Sequence, residues 1–307
     1  MRVLSIDGGG IRGIVPATVL AALEERAGRP VCELFDLIGG TSTGGILALA
    51  LTRPAGDGRP GPRWSAAQIV SLYRDEGPRI FSRSLGRRVT SVEGLLDERY
   101  SSGPLREVLE RYLGETTVDQ ALTAVFVTAY DLVARRPKFF KSWREDAGVP
   151  MAVAAEATAA APTYFEPVAV GDAALIDGGV FAGNPAMCAY AEAVRLSPDA
   201  DTTVVSLGTG SQTRPIPLEQ AQGWGVLEWA RPIIDVVFDG SSDAVDYQLE
   251  HVLGERYVRL QTRLDAANDD MDDASAENLA ALEATGRALV AENAAILDRL
   301  ATELVSG

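Results

Sequence analysis

The sequence predicts an α/β fold, a mostly parallel central sheet with helices on both faces, and three observations predict it. Short apolar runs of strand length recur along the 307 residues, three of them end in glycine-rich corners, and segments with helical spacing of apolar residues follow. The first such run is Arg2 to Ile6, followed by Asp7-Gly8-Gly9-Gly10-Ile11-Arg12-Gly13. The second is Phe35 to Ile38, followed by Gly39-Gly40-Thr41-Ser42-Thr43-Gly44-Gly45, and the third is Ala174 to Ile176, followed by Asp177-Gly178-Gly179. In an open, mostly parallel sheet such corners gather along one edge, where ligands bind.

Taken in order, a helix from about Val15 to Ala27 leaves the first corner, and the Ala-rich run Ile46 to Leu51 leaves the second. Thr52 to Arg63 is rich in Pro, Gly and Arg and reads as a surface loop. Ser65 and Gln68 form a capping box ahead of the stripe Ile69, Leu72 and Tyr73. From Arg79 to Arg88, arginines at 79, 83, 87 and 88 interleave with Ile80, Phe81 and Leu85, the pattern of a solvated loop or of a lipid-facing lid. Ser102-Gly103-Pro104 starts a helix with Leu105, Val108, Leu109 and Tyr112 on one face. Ala124 to Tyr130 and Lys138 to Lys141 read as strands, the first apolar enough to be central.

Met151 to Ala161 reads as an Ala-rich helix stopped by Pro162. Asn184 and Pro185 supply an N-cap and a first-turn proline for a helix through Leu196. Thr203 to Leu207 is a strand closed by Gly208-Thr209-Gly210. From about residue 211 to 307 the chain reads as mainly helical, with Tyr257 to Gln261 an edge strand and Asn278 to Val305 one long amphipathic helix weakened at Gly286. No repeat and no linker divides the chain, so a single domain spanning 1–307 is expected.

Composition narrows the class. Hydrophobic residues at 47% and charged residues at 23% are ordinary for a globular chain, and a formal charge of −15 gives no field that would attract nucleic acid. The two cysteines, Cys32 and Cys188, lack metal-ligand or redox spacing and are expected to be reduced and buried. Val3 to Ile6 is too short for a signal-peptide core, and no apolar run approaches membrane-spanning length. A cytoplasmic protein is the expectation.

Chemistry concentrates at the corners. A strand that turns sharply into a helix at Ser42, with glycine two positions to either side, is the arrangement that exposes a nucleophilic serine beside helix N–H groups; a plain Gly-rich turn would read the same way. Gly8, Gly10 and Gly13 also satisfy the spacing of a dinucleotide fingerprint, although the second strand ends in Gly39-Gly40 where that reading needs an acid. Asp177 is either a catalytic carboxylate or a turn aspartate bonding its own backbone. His251, the one histidine, stands in the order Ser42, Asp177, His251 of a hydrolase triad, yet it lies in a charged helical stretch.

These three corners closely resemble the motifs of the patatin-like phospholipases, an Asp-Gly-Gly-Gly loop, a Gly-x-Ser-x-Gly elbow and a terminal Asp-Gly-Gly or Asp-Gly-Ala. Ala161-Pro162-Thr163-Tyr164-Phe165, Gly183-Asn184-Pro185 and Ser206-Leu207-Gly208-Thr209-Gly210 extend the resemblance, which is good from Val3 to about Gly210 and thinner beyond. The resemblance implies a three-layer α/β/α lipid acyl hydrolase of phospholipase A type, needing no metal or cofactor. Ser42 would attack an ester carbonyl and Asp177 would take its proton. Backbone N–H groups of Gly8, Gly9 and Gly10 would face the oxyanion, Arg12 would steady that loop or a phosphate, and Gly13, Gly40, Gly44, Gly178 and Gly179 would shape the corners. Plant members often carry lysine where this chain has Arg12. The implied partner is a phospholipid or other acyl-ester lipid, with peripheral membrane contact. Acyl transfer from the same acyl-enzyme, and a dinucleotide-binding oxidoreductase, are the alternative activities.

Overall fold

A computed structural model describes residues 1–56, 58–82, 100–144, 147–211, 215–229 and 232–306. The strands are β1 (Arg2–Ile6), β2 (Leu37–Gly40), β3 (Ala124–Asp131), β4 (Arg136–Lys141), β5 (Val168–Val170), β6 (Ala173–Asp177), β7 (Thr203–Leu207) and β8 (Tyr257–Leu260). Among the described residues they form one sheet in the order β5-β6-β3-β2-β1-β7-β8, with β4 also paired to β3. β2, β1, β7 and β8 run parallel, as does β3 to β2; the β3–β4, β3–β6 and β5–β6 pairs are antiparallel.

The principal helices are α1 (Ile14–Ala27), α2 (Thr43–Thr52), α3 (Ala66–Ile80), α4 (Ser102–Leu113), α5 (Met151–Ala159), α6 (Ala186–Leu196), α7 (Pro232–Leu253), α8 (Ala276–Glu292) and α9 (Ala294–Ser306). Side chains alternate across the strands, so two apolar clusters form. Leu4, Ile6, Ile38, Val125 and Val127 pack on one face against α1, α2, α5, α8 and α9. Val3, Leu37, Phe126 and Val204 pack on the other, against α6 and the end of α7. Helices therefore cover both faces.

One feature of pairing positions the site. Phe126 and Val127 pair with both β2 and β4, whereas Ala129 to Asp131 pair with both β4 and β6. β2 and β6 must therefore share one edge of β3, approaching each other end to end. Gly40 is opposite Val127 and Asp177 opposite Ala129, which leaves only Thr128 between the two carboxyl ends. The third corner thus reaches the other two on an antiparallel strand, a direction the sequence reading left open.

Other boundaries shift for local reasons. β2 begins at Leu37 because Asp36 is engaged with Arg2, accepting from its backbone N–H at 2.7 Å and from its guanidinium at 2.7 Å. α5 stops at Ala159, before the expected Ala161, and the Ala160 carbonyl accepts the Asp177 N–H at 2.9 Å. β5 was not anticipated; Gly171, at φ 58°, closes its short hairpin with β6. The long C-terminal helix is two helices, broken at Asn293 and intact at Gly286, where a Cβ would lie 2.8 Å from Thr18 Cβ. Gly286 admits α1 at close range. Cys32 is buried, but Cys188 is only half-buried, and both are free thiols. No helix among the described residues is long and apolar enough to cross a membrane.

Thr128 tests the end-to-end junction. The Thr41 hydroxyl donates to the Ala182 carbonyl at 2.7 Å, so the 2.7 Å contact between Thr41 and Thr128 has Thr128 as donor. Thr128→Val keeps the shape and removes that donor, and should lower unfolding stability by about 1 kcal/mol. A denaturant midpoint unchanged from wild type would contradict this role.

Candidate active site

The elbow between β2 and α2 holds Ser42 at φ 54° and ψ −123°, a conformation that costs a β-carbon-bearing residue free energy. Neighbouring bonds hold it there. The Ser42 N–H donates to Thr158 Oγ1 at 2.9 Å, Thr41 N–H to the Ile6 carbonyl at 3.2 Å, and Gly44 N–H to the Thr41 carbonyl at 2.8 Å. A Cβ at Gly40 would stand 2.2 Å from the Gly44 carbonyl oxygen, and one at Gly44 would stand 2.1 Å from that of Ile6. Only glycine lets the backbone cross at this range.

The corner after β1 lies directly against the elbow, since a Cβ at Gly8 would be 3.3 Å from Ser42 Cβ. In a trans peptide the C=O and the following N–H point opposite ways, so a bond to one aims the other. Thr209 Oγ1 donates to the Gly8 carbonyl at 2.7 Å, which turns the Gly9 N–H away from Thr209. Arg12, buried, donates from Nε to the Gly9 carbonyl at 3.3 Å and from its backbone N–H to the same oxygen at 3.2 Å, which aims the Gly10 N–H the other way. Among the described residues neither N–H has a hydrogen-bond acceptor. The Gly8 N–H differs: it donates to the Gly183 carbonyl at 2.9 Å, so this expected oxyanion donor is already engaged. Gly13 has no room for a Cβ, which would meet Thr43 Oγ1 at 2.2 Å and seats the start of α1 against α2.

Asp177, at the end of β6, is buried and faces the Ser42 hydroxyl. Its Oδ1 accepts the Gly179 N–H at 2.7 Å. Burial pushes its pKa from 3.8 up to about 7, with the Ser42 hydroxyl and the Gly179 N–H pulling the other way. Gly178 and Gly179 fit here because a Cβ would strike Thr128 Oγ1 at 2.0 Å and Phe238 Cζ at 3.0 Å respectively.

All three corners open onto one cavity of about 360 Å³. On one side of Ser42 it is walled by apolar side chains of α2, α3 and α4, including Ile46, Leu72, Leu105 and Leu109, with Phe165. On the other side it is polar, lined by Asp7, Asp239, Asp243, Arg259 and Gln261. Arg259, largely shielded from solvent, lies there between two carboxylates, Asp7 at 2.7 Å and Asp246 at 3.0 Å. Burial raises the Asp7 pKa to about 6, opposed by Arg259. The arrangement suits a molecule with an apolar chain, a polar head and a scissile bond between them.

His251 is not part of it. The residue is exposed on α7, its Nδ1 lies 2.7 Å from the Tyr247 carbonyl, and its ring sits 4.2 Å from that of Tyr247. The dinucleotide reading fares no better, because β2 ends in Gly39-Gly40 with no acid at its tip. Arg79 pairs with Glu107 and with Glu76, while Arg83, Arg87 and Arg88 lie outside the described residues. Sequence reasoning missed Thr158, Thr209, Asp246 and Arg259. Thr158 carried a signal, a buried hydroxyl in an alanine-rich helix, and so did Arg259, the charge within an otherwise apolar strand.

The profile of a family described as patatin-like phospholipase matches residues 4–190. Patatin group J-1 of Solanum tuberosum is 35% identical, an alignment covering 94% of this chain and 84% of that protein. Patatin-like protein 2 of Arabidopsis thaliana is 33% identical over 94% of this chain and 83% of its own. A Solanum tuberosum relative described as probable inactive patatin-3-Kuras 1 is 33% identical over 94% of this chain and 86% of its own.

The Asp177 carboxyl makes a prediction about stability alone. A folded pKa of about 7 against an ordinary 3.8 means that the proton stabilises the fold fully below 3.8, and that this contribution is lost as pH rises through 7. Asp177→Asn does not titrate. Its unfolding free energy should therefore gain on wild type between pH 4 and pH 8, by roughly 2–4 kcal/mol, and the gap should then level off. A gap independent of pH, measured by denaturant unfolding, would show that the carboxyl titrates normally.

Proposed function

The chain belongs to the patatin-like phospholipase family, and we propose that it is a lipid acyl hydrolase, acting as one domain over 1–307, in which Ser42 and Asp177 form the catalytic dyad. The observation that carries this reading is the meeting of a strained serine and a buried carboxylate of raised pKa at the floor of a cavity that is apolar on one side and polar on the other. A relative described as inactive shares the same extent of similarity, so the reading rests on the site and not on family membership.

In the proposed reaction, the acyl chain lies along Ile46, Leu72, Leu105 and Leu109, and the head of the lipid lies toward Arg259. Ser42 Oγ attacks the ester carbonyl as its proton passes to Asp177, for which a pKa of about 7 makes a better base than an ordinary aspartate. The oxyanion faces the N–H groups of Gly9 and Gly10, aimed by Thr209 and Arg12 and supplied without reorganisation. Collapse breaks the bond to the alcohol oxygen, which takes the proton from Asp177 and leaves as the deacylated lipid. Water then attacks the Ser42 ester, Asp177 again holds the proton, and the fatty acid departs with Ser42 restored. With water as acceptor, the fatty acid released equals the ester cleaved. A new ester in the presence of an alcohol would instead mark acyl transfer.

Ser42→Ala and Asp177→Asn should each lower kcat/KM for an acyl ester by about a thousandfold or more, and the double variant should be little worse, because the pair works as one proton-transfer unit. His251→Ala should stay within about twofold of wild type, whereas the base of a triad would lose several orders of magnitude. The rate should rise with pH and level off above about 7, where Asp177 is ionised. Loss of activity in folded His251→Ala would replace the dyad with a triad.

A further inference from the structure

The segment that leads into the cavity-lining part of α7 exposes apolar side chains. Among the described residues Leu218 is 71% exposed and Val226 89%, and Ile216, Ile233, Val236 and Val237 are exposed as well. Trp224 and Trp229, in the same segment, are partly exposed and pack edge to face 4.9 Å apart. The spacing of Ile233, Val236 and Val237 puts these three on one face of α7. Phe238, Ser242 and Asp246 of the same helix turn the other way and line the cavity, and Leu249 one turn on is buried in the core. Asp239 and Asp243 line the cavity and are exposed, so it opens to the surface beside this patch.

Side chains of this kind left in water are held there at a free-energy disadvantage that scales with area, and a cluster of them marks an interaction surface. Charge restricts the partner. Between Pro215 and Glu255 the chain has one arginine, Arg231, and no lysine, against Glu219, Glu228, Asp235, Asp239, Asp243, Asp246, Glu250 and Glu255, in a protein of net charge −15. An anionic membrane surface would repel that segment.

We propose that this patch, carried by residues 216–229 and the N-terminal half of α7, docks on a zwitterionic or uncharged lipid surface and sets the cavity mouth against it. The inference rests on the lipid-hydrolase reading and gives it a route for substrate: a lipid passes from the surface past Phe238 to Ser42 without crossing bulk water. It also moves the membrane contact away from the arginine-rich segment that the sequence singled out.

The test compares wild type with the triple variant Ile233→Ser, Val236→Ser, Val237→Ser and with Val226→Asp, none of which touches the cavity. Co-sedimentation with phosphatidylcholine vesicles should fall about tenfold or more in the triple variant, and clearly in Val226→Asp. Turnover of a soluble short-chain ester should be unchanged in both, and this arm alone reports on the dyad. Wild type should bind phosphatidylcholine vesicles more tightly than phosphatidylglycerol vesicles at low salt, and Ser42→Ala should bind as wild type does. Equal vesicle binding by wild type and both variants, or a preference for phosphatidylglycerol, overturns the proposal. So does a wild-type dimer in sedimentation that these substitutions convert to monomer, since the patch would then belong to a second copy.

Discussion

The structure depends on how β3 is shared. One edge of that strand accepts β2 over its first half and β6 over its second, and the two carboxyl ends meet across Thr128. With β2 parallel to β3 and β6 antiparallel, both carboxyl ends point at Thr128, and reversing either strand would point its carboxyl end away. Every polar contact at the junction serves that meeting. Thr128 donates to Thr41, Thr41 donates to Ala182, and the Ala160 carbonyl takes the Asp177 N–H. The serine elbow and the buried carboxylate are products of this pairing, and each is unfavourable on its own: one is a strained backbone, the other a charge removed from water.

The three glycine-rich corners were legible because glycine is forced there by collision. Wherever the sequence placed a glycine in the three motifs, a Cβ would meet a backbone or side-chain atom at short range, and such positions cannot be filled by another residue without movement. The parallel half of the sheet was equally legible from its apolar runs. The direction of β6 was not, because an apolar run ending in Asp-Gly-Gly reads the same whichever way its strand lies. Gly286 misled for a related reason: helix propensity treats glycine as a weakness, whereas here it is the contact point with Thr18. The donors to Gly8 and Gly9 could be anticipated only in part. Arg12 is three residues from its acceptor, but Thr209 reaches Gly8 across two hundred positions, and no local pattern announces it.

The cavity's two ends are built by different parts of the chain. The apolar end comes from α2, α3 and α4, early in sequence, and the polar end from α7 and β8, where Arg259 lies between Asp7 and Asp246. That ion pair ties the C-terminal strand to the residue that opens the glycine loop. A largely shielded arginine with two carboxylates is worth less as stability than as placement, since desolvation offsets much of its attraction. Its consequence is geometric: the loop that aims the Gly9 and Gly10 N–H groups is fixed from both sides, by Arg12 within the corner and by β7 and β8 beneath it.

The central claim is that Ser42 is a nucleophile whose reactivity is governed by the ionisation of Asp177. Its most direct measurement is the rate at which a fluorophosphonate labels the protein between pH 5 and pH 9, with the modified peptide located by mass. The account predicts a single adduct on Ser42, formed at a rate that rises with pH and levels off above an apparent pKa of about 7. An adduct on another residue, or labelling of Ser42 at a rate indifferent to pH across that range, would contradict it.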